Sequence, residues 1–319
     1  MAWLTKLMWN ADEGRIRALW RLFVHTIALG VGWYPISVVV VSLGVTSGEG
    51  GLGLDSILTA ALAVAGATWL VATKVDGRPF AALGLKLDRQ WWVDALAGVG
   101  IGLVLMAAIF AFELALGWVR IEGYALGAGE GRGFGLMLLE PFVVFIAVAF
   151  YEELISRGYH LRNLAEGLAE LGPGPISAPV ALLLATLASS AVFGLLHASN
   201  ANATWISTFN VGLAGVMLAA SVLWTGQLGL AMGLHLSWNF CQGNLFGFPV
   251  SGNDAGPRVI GLEQLGDPLV TGGAFGPEAG LIGIAAMLVG LGLQAAWVRV
   301  TRGQVQLEQD FARYSAGES

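Results

Sequence analysis

Long apolar runs alternate with short polar segments along the whole chain. A helix needs about 20 apolar residues to cross the hydrocarbon core of a bilayer. Eight windows approach that length, at residues 22–44, 56–73, 91–118, 134–157, 178–199, 205–224, 228–248 and 279–298. The pattern predicts an all-α fold, a polytopic membrane helix bundle with about eight transmembrane helices.

The composition agrees with a bundle surrounded by lipid. Hydrophobic residues make up 56% of the 319 residues and charged residues only 12%, whereas soluble domains average about 45–50% and 25%. The net charge of −6 is spread over loops and tail, without a basic patch interleaved with aromatic residues, so we expect no nucleic-acid partner. The single cysteine, Cys241, cannot form an internal disulfide.

The distribution of Lys and Arg predicts the orientation. If the N-terminus is cytoplasmic, 13 of the 16 basic residues fall on the cytoplasmic side, and only Arg120, Arg132 and Arg258 fall outside. This asymmetry favours cytoplasmic N- and C-termini, and we expect an integral protein of a bacterial inner (plasma) membrane. Residues 1–21 are expected to form a cytoplasmic interfacial segment, 22–298 the membrane domain, and 299–319 a cytoplasmic tail that is a short helix or disordered. The segment Pro249–Pro277 is interpreted as an irregular connection on the outer side, with its role left open.

The stretch "FYEELISRGYH", residues 150–160, places four ionisable groups at the end of an apolar run. An ionisable residue inside a membrane span costs several kcal/mol and is a functional hypothesis by default. Adjacent helical residues point about 100° apart, so Glu152 and Glu153 cannot face one partner. Glu153 shares a face with Arg157 and is predicted to pair with it, which leaves Glu152 available as a proton acceptor.

Two histidines lie in patterned surroundings. In "VFGLLHASN", His197 shares a helical face with Phe193, and in "GLHLSWNF", His235 shares one with Asn239. Together with Glu152, these groups could hold a water and a polarised carbonyl. Three other ionisable residues, His25, Glu113 and His160, have no patterned neighbour of this kind. Structural roles are expected for His25 and Glu113, the latter by pairing or by lying near an interface, and His160 is expected at the cytoplasmic interface.

Three motifs, in this order, resemble a known family. They are "EELISR" at 152–157, "FGLLH" at 193–197 and "HLSWN" at 235–239, and "WTGQLGLAMGLH" at 224–235 extends the resemblance. They are similar to the motifs of the CPBP (CAAX protease and bacteriocin-processing) intramembrane proteases, which include the type II CAAX prenyl endopeptidases. The resemblance covers about residues 134–240 and implies an intramembrane endopeptidase with its protease core at 134–248. Its partners would be the lipid bilayer and a membrane-associated protein or peptide substrate.

The resemblance also implies roles for individual residues. Glu152 would act as general base on a water, His197 would position and polarise that water, and His235 and Asn239 would stabilise the oxyanion. Structural support would come from three residues: Glu153, Arg157 and Phe193. We expect the four catalytic side chains to converge on one cavity reachable from the cytoplasmic half of the bilayer.

Alternatives remain open at this stage. A carboxylate and two imidazoles, the ligand set of many catalytic zinc sites, are supplied by Glu152, His197 and His235. The site therefore either binds Zn²⁺ or uses glutamate as a base without metal. We favour the glutamate base. The alternative function is a non-catalytic membrane scaffold, or an immunity or chaperone-like protein that retains the fold. Prenylation of the substrate is not predicted in either direction.

The depths of the site residues conflict in the simplest arrangement of spans. His197 would lie near the outer end of its helix and Glu152 near the cytoplasmic end of its own, which at 1.5 Å per residue separates them by roughly 10 Å or more. Two adjustments would relieve the conflict, and we expect both. The fourth helix would continue through "RGYHLRNLAEGL", and the fifth would start well after Pro179.

Overall fold

The computed structural model describes residues 7–44, 53–127, 133–170 and 176–314. The main helices that it describes are α1 (Ala18–Ser42), α2 (Leu54–Lys74), α3 (Arg89–Ala115), α4 (Phe134–Ala169), α5 (Ala178–Leu196), α6 (Trp205–Thr225), α7 (Gly229–Phe240) and α8 (Leu281–Arg302). Two antiparallel pairs of strands accompany them: β1 (Trp9–Asn10) with β2 (Arg15–Ile16), and β3 (Val119–Leu126) with β4 (Arg258–Gln264).

Seven of these helices are long and apolar enough to cross a membrane, so the predicted polytopic helical bundle is confirmed. The helix α7 is not among the seven candidate spans. It fills the predicted window 228–248 with only 12 α-helical residues and then continues as a π-helix, Cys241–Leu245. It is shorter than a span and largely buried.

Small residues let α7 pack directly on α3. A Cβ atom on Gly98 of α3 would collide with the backbone of Leu230, and one on Gly233 of α7 would collide with the backbone of Ala95. Close backbone approach of this kind is what glycine permits between membrane helices. The contact fixes α7, and with it His235, in the centre of the bundle.

The helix α4 is longer than the predicted window 134–157. It is α-helical over Leu139–Glu153, π-helical over Leu154–His160 and α-helical again over Leu161–Ala169. The continuation that we expected beyond Arg157 is therefore present. The late start expected for the fifth helix is wrong, because α5 begins at Ala178 and places Pro179 in its first turn, where the missing N–H of proline is no loss.

Both ends of the described chain lie at one end of the bundle, which we call the termini end. The backbone N–H of Glu308 donates to the Leu223 carbonyl at the end of α6 (2.8 Å), and the Arg15 guanidinium stacks 3.4 Å from the ring centroid of Tyr314. The tail forms a 3-10 helix, Gln309–Ala312, whose Phe311 is buried. The opposite end, which we call the loop end, carries the pair β3–β4 and the segments 197–204 and 246–280.

A group of buried charges joins the elements at the termini end. We call Arg15, Arg21, Arg78, Asp76 and Glu166 the termini-end network. The Glu166 carboxylate accepts hydrogen bonds from Arg15 (2.8 Å), Arg21 (3.0 Å) and Arg78 (2.5 Å). Asp76 lies 3.9 Å from both Arg21 and Arg78. Buried charges of both signs thus compensate one another, as burial requires.

Three ionisable residues were expected outside the site. His25 has a structural environment, because its Nε2 lies 2.9 Å from the Thr68 hydroxyl and its ring stacks on Tyr159 at 4.2 Å. His160 is half-buried and packs edge-on against His25, with ring centroids 5.5 Å apart. Glu113 lies near the loop end of α3, as expected, but within the described residues its carboxylate oxygens have no hydrogen-bond partner. The alternative expectation, that Glu113 pairs with another residue, is not met within the described residues.

Candidate active site

The two adjacent glutamates of α4 occupy different environments. Glu153 is fully buried, whereas the Glu152 side chain is 17% exposed and lines a cavity. The Oε2 atom of Glu152 is itself buried and has no hydrogen-bond partner in the part of the chain that the structure describes. Both glutamates nevertheless approach the His235 ring, so the expectation that adjacent helical positions cannot face one partner is wrong. The two carboxylates differ in that Glu152 lines the cavity, whereas Glu153 is fully buried beside it.

The predicted pair of Glu153 and Arg157 is present, with Oε1 and Nη1 3.0 Å apart. The Arg157 guanidinium also donates to the Gly215 carbonyl of α6 at 3.1 Å and lies 4.3 Å from the centroid of the Phe193 ring. The same Oε1 atom of Glu153 lies 2.8 Å from Nδ1 of His235. Sequence reasoning missed this contact, because it joins residues 82 positions apart and no local spacing indicates it.

The contact with Glu153 fixes the orientation of the His235 ring. The Glu153 carboxylate accepts from Arg157 and has no proton of its own to offer when ionised, so Nδ1 of His235 is the donor. The other ring nitrogen, Nε2, lies 3.8 Å from Oε2 of Glu152. That separation is too long for a direct hydrogen bond, but a water beside the two atoms can contact both.

His197 directly follows the last residue of α5. Its Nδ1 lies 2.8 Å from the Phe193 carbonyl, which only accepts, so Nδ1 carries the proton and Nε2 is left unprotonated in the neutral ring. The Phe193 ring packs near both histidines, with ring centroids 4.8 Å from His197 and 6.4 Å from His235. Phe193 thus supports both imidazoles and the Arg157 guanidinium.

One cavity of about 440 Å³ brings the four predicted side chains together. Glu152, His197, His235 and Asn239 all line it. Much of the remaining wall is apolar and comes from α1, α2, α4 and α6. Four polar residues of the loop-end segments complete it: Asn200, Ser251, Asn253 and Glu278. Sequence reasoning did not include these four residues in the site.

The position of the cavity bears on the expected direction of its opening. Its lining includes the last turn of α5, the first half of α2 and the segment after α7, all of which lie toward the loop end. Both termini lie at the opposite end. A cavity that opens to the cytoplasmic half of the bilayer and cytoplasmic termini are therefore difficult to combine, and both stay predictions.

Glu278 is the least expected lining residue. It lies in a 3-10 helix, Pro277–Ala279, and only 5% of it is exposed. Its Oε1 accepts from the Ser251 backbone N–H at 2.6 Å, and its Oε2 accepts from the side-chain amide of Gln242. Burial raises the pKa of Glu278 to about 7, although these donors favour the ionised form. A carboxylate directly before an apolar window was the only sequence signal for it.

The predicted zinc ligands do not form a metal site in this arrangement. Within the described ranges, no three His, Cys, Asp or Glu side chains are grouped so that they could hold a metal ion. Glu152 and His235 approach each other, with Oε2 and Nε2 3.8 Å apart, but His197 does not join them in such a group. We therefore derive no step through a metal, and the zinc alternative stays a prediction.

Comparison with known proteins finds a family match for part of the chain. Residues 134–241 match the family model described as Type II CAAX prenyl endopeptidase Rce1-like. The matched segment runs from the start of α4 through α7 and contains all four predicted catalytic residues. No curated protein and no solved structure matches the chain. The chain is an integral membrane protein with seven candidate spans, and residues 134–241 are a domain of the Rce1-like CAAX endopeptidase family.

Proposed function

We propose that this protein is an intramembrane endopeptidase that hydrolyses a peptide bond of a membrane-associated protein or peptide. The observation that supports this most directly is the geometry of Glu152. Its Oε2 atom makes no hydrogen bond to any described residue and lies 3.8 Å from Nε2 of His235, in a cavity inside the bundle. A carboxylate oxygen without a hydrogen-bond partner, close to an imidazole, can bind and activate a water.

The proposed reaction begins with proton transfer. The Glu152 carboxylate takes a proton from a water, and the water oxygen attacks the carbonyl carbon of the scissile peptide bond. The carbonyl oxygen becomes the oxyanion of a tetrahedral intermediate. When the C–N bond breaks, the proton held by Glu152 passes to the leaving amine, which regenerates the carboxylate.

The other predicted residues have roles that agree with their hydrogen bonds. The Asn239 amide donates to the oxyanion. His197, with its Nδ1 held by the Phe193 carbonyl, presents Nε2 as an acceptor that positions the water. In His235, Nδ1–H donates to the Glu153 carboxylate, so Nε2 is an acceptor in the neutral ring and a donor to the oxyanion only when both nitrogens carry protons.

Arg157 and Glu153 form a buried ion pair that supports the site. The positive charge of Arg157 is held against Glu153 by a 3.0 Å ion pair, so Glu153 is the partnered carboxylate and Glu152 is the reactive one. Glu153 is thus a positioning residue that acts through His235. This separation of roles is the reason we assign the base to Glu152.

The test is cleavage of membrane-tethered peptides by the purified full chain in detergent. Glu152→Gln removes the basic site with little change in shape, so we expect turnover to fall by at least about 10³-fold while the melting temperature stays nearly constant. Glu140→Gln is the matched control, because Glu140 lies on the same helix and is exposed. Full activity of Glu152→Gln would exclude the proposal and favour the non-catalytic scaffold.

A chelator titration in the same assay separates the two mechanisms. Activity that does not change with chelator supports Glu152 as a base without metal. Activity that is lost and then restored by zinc supports ligation by Glu152, His197 and His235, and would require these side chains to rearrange around the ion.

A further inference from the structure

We infer that the substrate enters the cavity from the loop end of the bundle, and that this end faces the extracytoplasmic side of the membrane. The substrate is then a membrane-associated peptide exposed on that side. The inference rests on the proposed function, to which it adds the direction of entry and the kind of substrate.

The loop end supplies the polar part of the cavity wall. Asn200 follows α5, and Ser251 and Asn253 lie in the segment that follows α7. These side chains are only half-buried, and hydrogen bonds join the two segments, with the Asn200 amide donating to the Ser251 carbonyl at 3.0 Å. Carboxamides and backbone groups at the opening of a cavity can form hydrogen bonds with the backbone of an extended peptide.

The wall is also open toward lipid near the loop end. Trp33 of α1 and Leu196 of α5 both line the cavity, yet they are 45% and 65% exposed. The buried residues of α1 lie close to its two ends: Ala18, Arg21, His25 and Val40. The part of α1 around Trp33 and Pro35 is therefore held by few contacts, and an apolar segment in the same half of the membrane can approach the cavity between α1 and α5.

The termini end is closed below Glu152. Along α4, the last residue that lines the cavity is Ser156. The next turns bury Arg157, Tyr159, Asn163 and Glu166. Glu166 belongs to the termini-end network, and Tyr159 and Asn163 hydrogen-bond to Asp76 and Arg21 of that network. The tail covers this region, since Phe311 packs under the Arg162 guanidinium at 3.8 Å. A peptide that arrived from the termini end would have to displace these buried groups.

The charge distribution orients the two ends in the membrane. In the described part of the chain, only Arg120 and Arg258 are basic at the loop end. The basic residues placed at the termini end are Arg15, Arg17, Arg21, Lys74, Arg78, Lys86, Arg89, Arg162, Arg299, Arg302 and Arg313. Excess Lys and Arg marks the cytoplasmic side, so the loop end and the cavity mouth face outward.

Cysteine labelling in intact cells tests the orientation. Asp254→Cys places an exposed thiol at the loop end, one residue beyond the cavity-lining Asn253, and Gln306→Cys places one at the termini end. We expect a membrane-impermeant maleimide to label Asp254→Cys in intact cells and Gln306→Cys only after the membrane is permeabilised. The wild-type chain is the blank, because its Cys241 is buried. The reverse pattern, or labelling of both only after permeabilisation, would overturn the inference.

A blocking experiment tests the entrance itself. Asn253→Cys and Leu196→Cys are treated with a bulky impermeant maleimide in the full-length protein in detergent, and cleavage of the membrane-tethered peptide is measured before and after. We expect labelling at either position to abolish cleavage, and the same treatment of Gln306→Cys to leave it unchanged. Inhibition at Gln306 but not at Asn253 or Leu196 would place the entrance at the termini end and overturn the inference. If Glu152→Gln proves fully active, the proposed function fails, whereas the labelling pattern still decides which end faces outward.

Discussion

Two glutamates on the same helix α4 have opposite surroundings. At the termini end, the buried carboxylate of Glu166 accepts hydrogen bonds from three arginines. Near the middle of the helix, Glu152 faces the cavity, and its buried Oε2 makes no hydrogen bond with the described residues. Both carboxylates have apolar surroundings. The two regions therefore differ in the number of hydrogen-bond partners of the carboxylate and not only in its burial.

The difference indicates which charges hold the fold and which are available for chemistry. A buried charge that is fully partnered fixes the elements around it, and removing one member leaves the others uncompensated. A carboxylate without a partner contributes little to the fold but can bind a water or a proton. Glu153 combines both situations, because it pairs with Arg157 and also orients His235.

Glu153→Gln tests both roles at once and has the largest expected effect. Loss of the charge leaves Arg157 uncompensated, so we expect the free energy of unfolding to fall by about 3–5 kcal/mol. The neutral amide is a weaker acceptor for Nδ1–H of His235 than the carboxylate, so turnover per folded molecule should also fall by about 10–100-fold, as when a group that orients a site histidine is altered. Thermal unfolding and cleavage by the folded fraction measure the two effects separately.

Glu153→Asp is the matched variant, because it keeps the charge but shortens the reach, and partial recovery of stability is expected. If Glu153→Gln were stable but inactive while Glu152→Gln kept its activity, the roles assigned to the two glutamates would have to be exchanged.

Glu166→Gln removes the negative charge and one of the two acceptor oxygens that bind Arg15, Arg21 and Arg78. We expect a loss of about 3–5 kcal/mol in the free energy of unfolding, with turnover per folded molecule unchanged, since the network is separate from the cavity. The control is Glu263→Gln, which disrupts the exposed pair with Arg120 and should change stability by at most about 1 kcal/mol. A stable Glu166→Gln variant with reduced turnover would connect the termini end to catalysis and remove the contrast.

Asn239→Ala examines the cavity region alone. If Asn239 stabilises the oxyanion, its loss should lower kcat by about 10²–10³-fold, as for other oxyanion donors, with little change in KM or melting temperature. Asn200→Ala is a useful comparison, because Asn200 lines the same cavity but donates to the Ser251 carbonyl. An increase in KM alone for Asn239→Ala would indicate substrate binding instead.

The sequence predicted the parts of this molecule that depend on local spacing. Apolar windows located the spans, and the four-residue spacing predicted the pair of Glu153 and Arg157. The reasoning from depth failed for α5, because the late start that was expected to bring His197 level with Glu152 is absent and the helix begins at Ala178, with Pro179 in its first turn.

Contacts between distant segments could not be predicted from one sequence. The hydrogen bond of His235 to Glu153 and the three arginines around Glu166 depend on how helices pack, and no spacing encodes them. Glu278 was missed for the same reason, since its partners Gln242 and Ser251 belong to other segments. The position of the cavity at the loop end followed only from the assembled bundle.

The smallest expected effect concerns Glu278, which combines burial with hydrogen-bond partners. Its pKa is about 7 in the folded chain against 4.5 in the absence of the fold. The folded state therefore binds a proton more tightly than the unfolded state between these values, so this residue makes stability rise as the pH falls from about 7 to 4.5. The full difference is roughly 3 kcal/mol at most, because each pKa unit corresponds to about 1.4 kcal/mol.

The melting temperature of the wild type relative to Glu278→Gln should therefore be higher at pH 5 than at pH 8. Any hydrogen bond lost in the variant shifts both values equally, and the exposed control Glu263→Gln should leave the pH dependence of the wild type intact. Parallel curves for wild type and Glu278→Gln would show that this buried carboxylate keeps its charge throughout, stabilised by Ser251 and Gln242 as fully as Glu166 is by its arginines.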